Sequence, residues 1–193
     1  MRVFAALELP AAARDGIAAA FSKARVLAPK AKWVAPDAMH LTLHFFGEIP
    51  ETEIDGFARV FDDPSLQRRA IRAELGEAGF FPAGGIPRVL WVGLAKGEEE
   101  MRDFWARFTK RLETLRTDGG PLRNWSPDSR GFSPHITVAR AGPVPLSRHW
   151  ADEAEVPPGE FLVERCVLFQ SVLGSGGARY VPLRTLVFPG GSA

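Results

Sequence analysis

One four-residue word occurs twice in this chain, and both times it alternates with a period of two. His40-Leu41-Thr42-Leu43 and His135-Ile136-Thr137-Val138 each read His, apolar, Thr, apolar, and the chain holds only four histidines. A random histidine would open that pattern with a chance of roughly 0.8%, so two openings arise by chance in roughly one sequence in a few thousand. Alternation dictates an extended strand in which side chains i and i+2 share a face. Leu41 and Leu43 then turn toward a core, as do Ile136 and Val138, and each His and Thr point together the other way.

The surroundings of the two words follow one order. Val3 to Leu9 reads as a strand closed by Pro10, and Ala11 to about Leu27 as a helix carrying Ile17, Phe21 and Ala24 at helical spacing. The first motif lies between Trp33 and Phe46, and Ile54, Phe57 and Phe61 mark a short helix after it. In the second half, Val89 to Ala95 is a compact apolar run expected to be a buried strand. Met101, Phe104, Trp105, Phe108, Leu112 and Leu115 then form an amphipathic helix, closed by Gly119-Gly120-Pro121. A polar loop from Asn124 to Arg130 leads into the second motif, and a short helix is expected near Ser147. Strand, helix, motif strand, helix thus occurs twice, with a modest extra loop in the second copy.

Arg69 to Phe80, Phe161 to Phe169 and Tyr180 to Phe188 read as further strands, with a turn at Gly174 to Gly177 between the last two. The expected fold is α+β: a single domain, residues 1–193, made of two similar lobes. No low-complexity linker separates them.

Two motif strands related by a pseudo-twofold axis would bring two imidazoles and two hydroxyls to a shared cleft. That set suits a phosphodiester. A neutral imidazole takes a proton from an attacking water, and an imidazolium protonates the departing oxygen. The Thr hydroxyls donate to non-bridging phosphate oxygens, which gather charge in the transition state. These residues alone leave open which histidine is acid and which is base.

Other chemistries fit less well. His40 and His44 are four apart, but on a strand, and no His-Glu-x-x-His or Cys and carboxylate cluster completes a metal site, so neither metal nor cofactor is expected. Gly-x-Ser-x-Gly is absent, and Cys166 falls inside an apolar strand. Gly174-Ser175-Gly176-Gly177 lacks the Lys and helix of a P-loop. A net charge of +1 argues against nonspecific polynucleotide binding, so an anionic substrate must be held by local donors. With 46% hydrophobic and 24% charged residues the composition is that of a soluble globular protein, and the single cysteine excludes an internal disulfide. No run is long enough for a membrane span, and the opening lacks a basic and apolar leader; a cytoplasmic monomer with no membrane partner is the default expectation.

The wider sequence resembles the two-histidine (2H) phosphoesterase superfamily, and within it the LigT-like RNA 2′,3′-cyclic phosphodiesterases. The resemblance is carried by Arg2 to Leu7, by Trp33-Val34 leading to His40 through Gly47, and by Phe132-Ser133-Pro134-His135 through Arg140. It extends to Leu168 through Ser171, then Gly177, Tyr180 and Leu183. It implies a bilobal, duplicated fold, two antiparallel β-sheets facing a central cleft with helices packed outside. It also implies metal-independent hydrolysis of an RNA terminal 2′,3′-cyclic phosphate to a 2′-phosphomonoester. By the same resemblance His40 is the proton donor, His135 the proton acceptor, and Thr42 and Thr137 hold the phosphate; the partners are RNA ends or nucleotides bearing the cyclic phosphate.

One position departs from the family pattern: His44 stands where a Lys is common. Its parity matches that of His40, which places it at the cleft rim or in contact with phosphate or ribose. Phe46 and Trp33 are candidates for stacking a base, against the commoner role of core aromatics. Arg130, with Arg123, is a candidate RNA contact in the loop before the second motif. Arg140 has the opposite parity to His135 and is read as serving packing or a local salt bridge unless its strand bulges. The alternatives are a related phosphoesterase acting on 2′–5′ linkages or cyclic ADP-ribose phosphates, 2′–5′ RNA ligation, and a non-catalytic module that only binds RNA ends.

Overall fold

A computed structural model describes residues 1–116, 122–123, 125–127, 131–143, 145–174 and 177–190. Its strands are β1 (Arg2–Glu8), β2 (Lys32–Trp33), β3 (His40–Glu48), β4 (Ile71–Phe81), β5 (Val89–Lys96), β6 (Ile136–Arg140), β7 (Glu160–Val163), β8 (Arg165–Gly174) and β9 (Gly177–Val187). The helices are α1 (Ala11–Ala20), α2 (Ser22–Leu27), α3 (Ile54–Ala58), α4 (Glu98–Glu113) and α5 (His149–Asp152). The class is α+β, as expected.

The strands run in the order β7-β4-β5-β6-β3-β1-β8-β9, every pair antiparallel, with β2 added to β6. Exchanging β7 with β9, β4 with β8, β5 with β1 and β6 with β3 reproduces that order. Two equivalent four-stranded arms result: β4, β5, β6 and β7 from the middle of the chain, and β1, β3, β8 and β9 from its two ends. Where separate sheets were expected, the arms are joined into one sheet by a single residue pair, Leu41 of β3 with Ile136 of β6. Beyond that pair β3 and β6 diverge, and β2 pairs with the far end of β6.

One expected strand divides. Phe161 to Phe169 is two strands, β7 in one arm and β8 in the other, with the chain crossing between arms at Glu164. The change of neighbours falls at the charged pair Glu164-Arg165, without Gly or Pro.

Behind the sheet lies one hydrophobic core drawing on both arms, including Leu7, Leu41, Leu90, Val92, Ile136 and Leu168. Helix α4 covers it with Met101, Phe104, Phe108 and Leu112, a stripe at helical spacing whose members are fully buried. Each such aromatic or aliphatic side chain contributes roughly 1.5–3 kcal/mol by leaving water. The helix opens after Gly97, whose φ of +87° suits glycine and where a Cβ would approach Arg72 O to 2.6 Å. Glu98, Glu99 and Glu100 occupy its first turn and Lys110 and Arg111 its last, the polarity that complements the helix dipole. Among the described residues no helix is long and apolar enough to cross a membrane.

Candidate active site

The Leu41–Ile136 pair fixes the geometry of the two motifs. Directly paired residues of antiparallel strands project from the same face. Leu41 and Ile136 are both fully buried, so their neighbours turn to the open face. Antiparallel register then sets His40 beside Thr137 and Thr42 beside His135. The four side chains mark the corners of a quadrilateral that spans the join between β3 and β6. The two histidines occupy one diagonal and the two threonines the other.

Both imidazoles are held in the same way. His40 Nδ1–H donates to the carbonyl of Ala38, and His135 Nδ1–H to that of Ser133, each at 2.8 Å and each two residues back. That bond fixes the tautomer and leaves Nε2 of both rings free to take or give a proton toward the cleft. Burial depresses the pKa of His40 to about 4, and the positive charges of Arg140 and of a protonated His135 push the same way, against the bond to Ala38. His135 is lowered for the same reasons, burial first and Arg140 with it. Both rings are therefore neutral near pH 7 in the free protein, and an arriving phosphate anion would favour recharging one of them.

A cavity of about 480 Å³ opens at this point, lined by His40 and Thr137 together with Phe4, Phe45, Arg140 and Tyr180 among others. Thr42 and His135 stand just across the Leu41–Ile136 join. The wall from the β1 arm is aromatic. Phe4 lies 4.9 Å from the His40 ring and 5.8 Å from Phe45, and Tyr180 meets His40 edge-on at 5.3 Å. On the other arm the Phe81 ring stands nearly perpendicular to that of His135 at 5.0 Å. Among the described residues no group of three or more His, Cys, Asp or Glu is placed to hold a metal ion.

Two of the residues that line this cavity were missed by strict alternation, and one mechanism accounts for both. In β3 the pairing passes from Ala6–Thr42 to Ala5–His44, leaving Leu43 as an extra residue. In β6 it passes from Trp91–Thr137 to Leu90–Ala139, leaving Val138 as the extra one. Each is a β-bulge, after which the side-chain parity reverses. Phe45 and Arg140, three residues beyond Thr42 and Thr137, thereby return to the cleft face. The bulge proviso decides the reading of Arg140 in favour of the cleft. The signal in the sequence was the shared offset, His-x-Thr-x-x-Phe in one arm and His-x-Thr-x-x-Arg in the other.

The same bulge corrects two expectations. His44 is not at the cleft rim: it is 5% exposed on the core side, bonded through Nε2 to Thr109 Oγ1 of α4 at 2.8 Å. The Thr109 hydroxyl donates to Trp105 O at 2.7 Å, so it accepts from His44 Nε2–H. The ring stacks on Trp105 and meets Trp125 edge-on, and burial lowers its pKa to about 4. Phe46 likewise stacks no base from here; it is buried against Phe57 and Trp125. Trp33 packs on Trp150 beside the core, and its Nε1–H donates to Ala28 O. Arg123 pairs with Glu53 at 2.9 Å, and Arg130 lies outside the described residues.

Comparison with known proteins finds relatives in sequence and in fold. The 2′-5′ RNA ligase superfamily matches residues 13–174. A Thermus thermophilus protein named RNA 2′,3′-cyclic phosphodiesterase is 33% identical over 190 residues, which cover 95% of this chain and 88% of the relative. An Aeropyrum pernix protein of the same name is 32% identical over 156 residues, 79% of this chain and 83% of its own. Among solved structures, TT0787 of Thermus thermophilus is similar with a TM-score of 0.79 at 30% identity, covering 98% of this chain and 99% of that one. Escherichia coli LigT complexed with 3′-AMP shares the fold, with a TM-score of 0.73 at 23% identity over 98% of both chains.

Proposed function

The chain belongs to the 2′-5′ RNA ligase superfamily, and from that premise we propose that it hydrolyses the 2′,3′-cyclic phosphate of an RNA end to a 2′-phosphomonoester. Relatives named RNA 2′,3′-cyclic phosphodiesterase support the substrate class. The diagonal placement of two imidazoles, each presenting Nε2, is the observation that carries the mechanism.

An in-line displacement at phosphorus needs a base behind the attacking water and an acid behind the departing oxygen, on opposite sides of one phosphate. The diagonal supplies that opposition. The unequal walls support one order of the roles. The aromatic wall of Phe4, Phe45 and Tyr180 belongs to the arm of His40, and a nucleobase stacking there brings the ribose to that side. His40 is thus the acid for ribose O3′, and His135, on the facing arm, the base for water.

In the reaction His135 Nε2 takes a proton from water as the water oxygen bonds to phosphorus. The P–O3′ bond breaks, and His40 Nε2–H gives its proton to O3′. The product carries a 3′-hydroxyl and a 2′-phosphate. Arg140, Thr42 and Thr137 donate to the non-bridging oxygens, where negative charge builds up in the transition state. Arg140 also depresses the imidazoles before substrate arrives, and the phosphate charge offsets it on binding.

The test is incubation of the protein with a 2′,3′-cyclic mononucleotide in EDTA, followed by identification of the product isomer. A 2′-monophosphate is expected. A 3′-monophosphate, or no turnover, would refute the assignment.

A further inference from the structure

The proposed hydrolysis gives no role to two cations near the cleft, Arg2 at the cavity wall and Lys32 of β2. Lys32 of β2 is in register with Arg140 of β6. Paired residues of antiparallel strands share a face, so the two cations stand side by side on the cleft side of the sheet. Like charges directly opposite each other are destabilising, yet both side chains are exposed and neither forms an ion pair with any described residue. The pairing becomes favourable when an anion lies over it.

Lys32 also occupies a defined path. Its stem runs over Gly142, where a Cβ would approach Lys32 Cγ to 3.2 Å and Cε to 3.4 Å. Val34, two residues on and therefore on the same face, lines the cavity with Arg140. Arg25 braces this segment, donating to Val34 O at 2.9 Å while its guanidinium lies 5.7 Å from the Trp33 ring centroid. Between Ser22 and Ala38, Lys23, Arg25, Lys30 and Lys32 are opposed only by Asp37, in a chain of net charge +1. Arg140, and not Lys32, is among the charges that depress the two imidazoles. Arg140 belongs to the reacting phosphate, and Lys32 lies one strand beyond it.

We propose that Lys32 binds a backbone phosphate of the RNA strand 5′ to the reacting nucleotide, so that the cleft holds an oligonucleotide end more tightly than a mononucleotide. The inference rests on the phosphodiesterase reading and extends it to the length of the substrate.

The experiment compares kcat/KM for a 2′,3′-cyclic mononucleotide with that for an oligoribonucleotide ending in the same cyclic nucleotide, over a range of salt. Lys32→Ala removes an exposed side chain, so folding is not at stake, and Lys32→Arg restores the charge. The parent should prefer the oligonucleotide at low salt. Lys32→Ala should lower oligonucleotide kcat/KM by roughly two- to fivefold and reduce the slope of log kcat/KM against log salt by about 0.7. Mononucleotide turnover should stay unchanged, and Lys32→Arg should keep the oligonucleotide preference. Equal losses on both substrates would place Lys32 at the reacting phosphate and overturn the proposal, as would no loss on either. A parent that turns over neither substrate would refute the phosphodiesterase reading itself, and this proposal with it.

Discussion

The depressed imidazoles predict an unusual pH dependence. His40 must be protonated to act as acid, yet its pKa in the free protein is about 4 against an ordinary 6.5. Restoring the charged form costs about 3 kcal/mol, at 1.36 kcal/mol per pKa unit. Above the pKa, the charged fraction of the free enzyme falls tenfold for every pH unit. Because kcat/KM reports the free enzyme, it should decline steadily from weakly acidic pH through pH 8. The bound phosphate favours the imidazolium and raises its pKa, so kcat, which reports the complex, should hold its value to higher pH. On the acid side both should fall once His135 is protonated. The assay is hydrolysis of a 2′,3′-cyclic mononucleotide from pH 4 to 9 at constant ionic strength, with kcat and KM resolved at each point. Superimposed profiles, or a kcat/KM that rises toward pH 9, would refute the reasoning.

Four further outcomes follow from the same geometry. His40→Ala and His135→Ala should each slow hydrolysis by roughly 10²–10⁴-fold, measured as initial rates on the cyclic mononucleotide. Arg140→Ala should cost roughly 10²–10³-fold in kcat, and Thr42→Ala or Thr137→Ala about 1.5–3 kcal/mol of transition-state binding, from kcat/KM. Phe45→Ala should lose about 1–3 kcal/mol of base stacking, seen as a loss of kcat/KM on a cyclic nucleotide but not on a ribose 2′,3′-cyclic phosphate lacking the base. His44, with a folded pKa of about 4, takes up protons more readily when unfolded. Its stabilising share is present above pH 6.5 and lost as pH falls toward 4, so His44→Gln should flatten the dependence of denaturation midpoint on pH in that window.

The legible parts of this molecule are those set by local alternation and by duplicated order. His40 shares a face with Thr42, and His135 with Thr137, because each pair is two residues apart in extended chain, and that much needs no partner. The repeated strand–helix–strand order likewise announced the equivalence of β1 and β3 with β5 and β6, though not that β8 and β9 return to complete the first arm. What lay beyond the sequence depends on partners. Whether Leu43 and Val138 are squeezed out as bulges is decided by β1 and β5, and that choice sends His44 to the core and Phe45 and Arg140 to the cleft. Alternation read straight through Leu43-His44-Phe45-Phe46 inverts every side chain after the bulge. The division of Phe161 to Phe169 was hidden for a related reason: an apolar run does not say which neighbours its two halves will pair with. Joining the arms through Leu41 and Ile136 is also a long-range choice, and it is the one that brings the two motifs together.

The central claim is that imidazoles from the two arms flank a single phosphorus atom. A crystal structure with a bound nucleoside 2′-monophosphate tests it most directly. The account predicts one phosphate with Nε2 of His40 and Nε2 of His135 on opposite sides, each at a hydrogen-bonding distance of about 2.6–3.2 Å from an oxygen of the phosphate or ribose. A phosphate touched by one of the two histidines, with the other turned away, would contradict it.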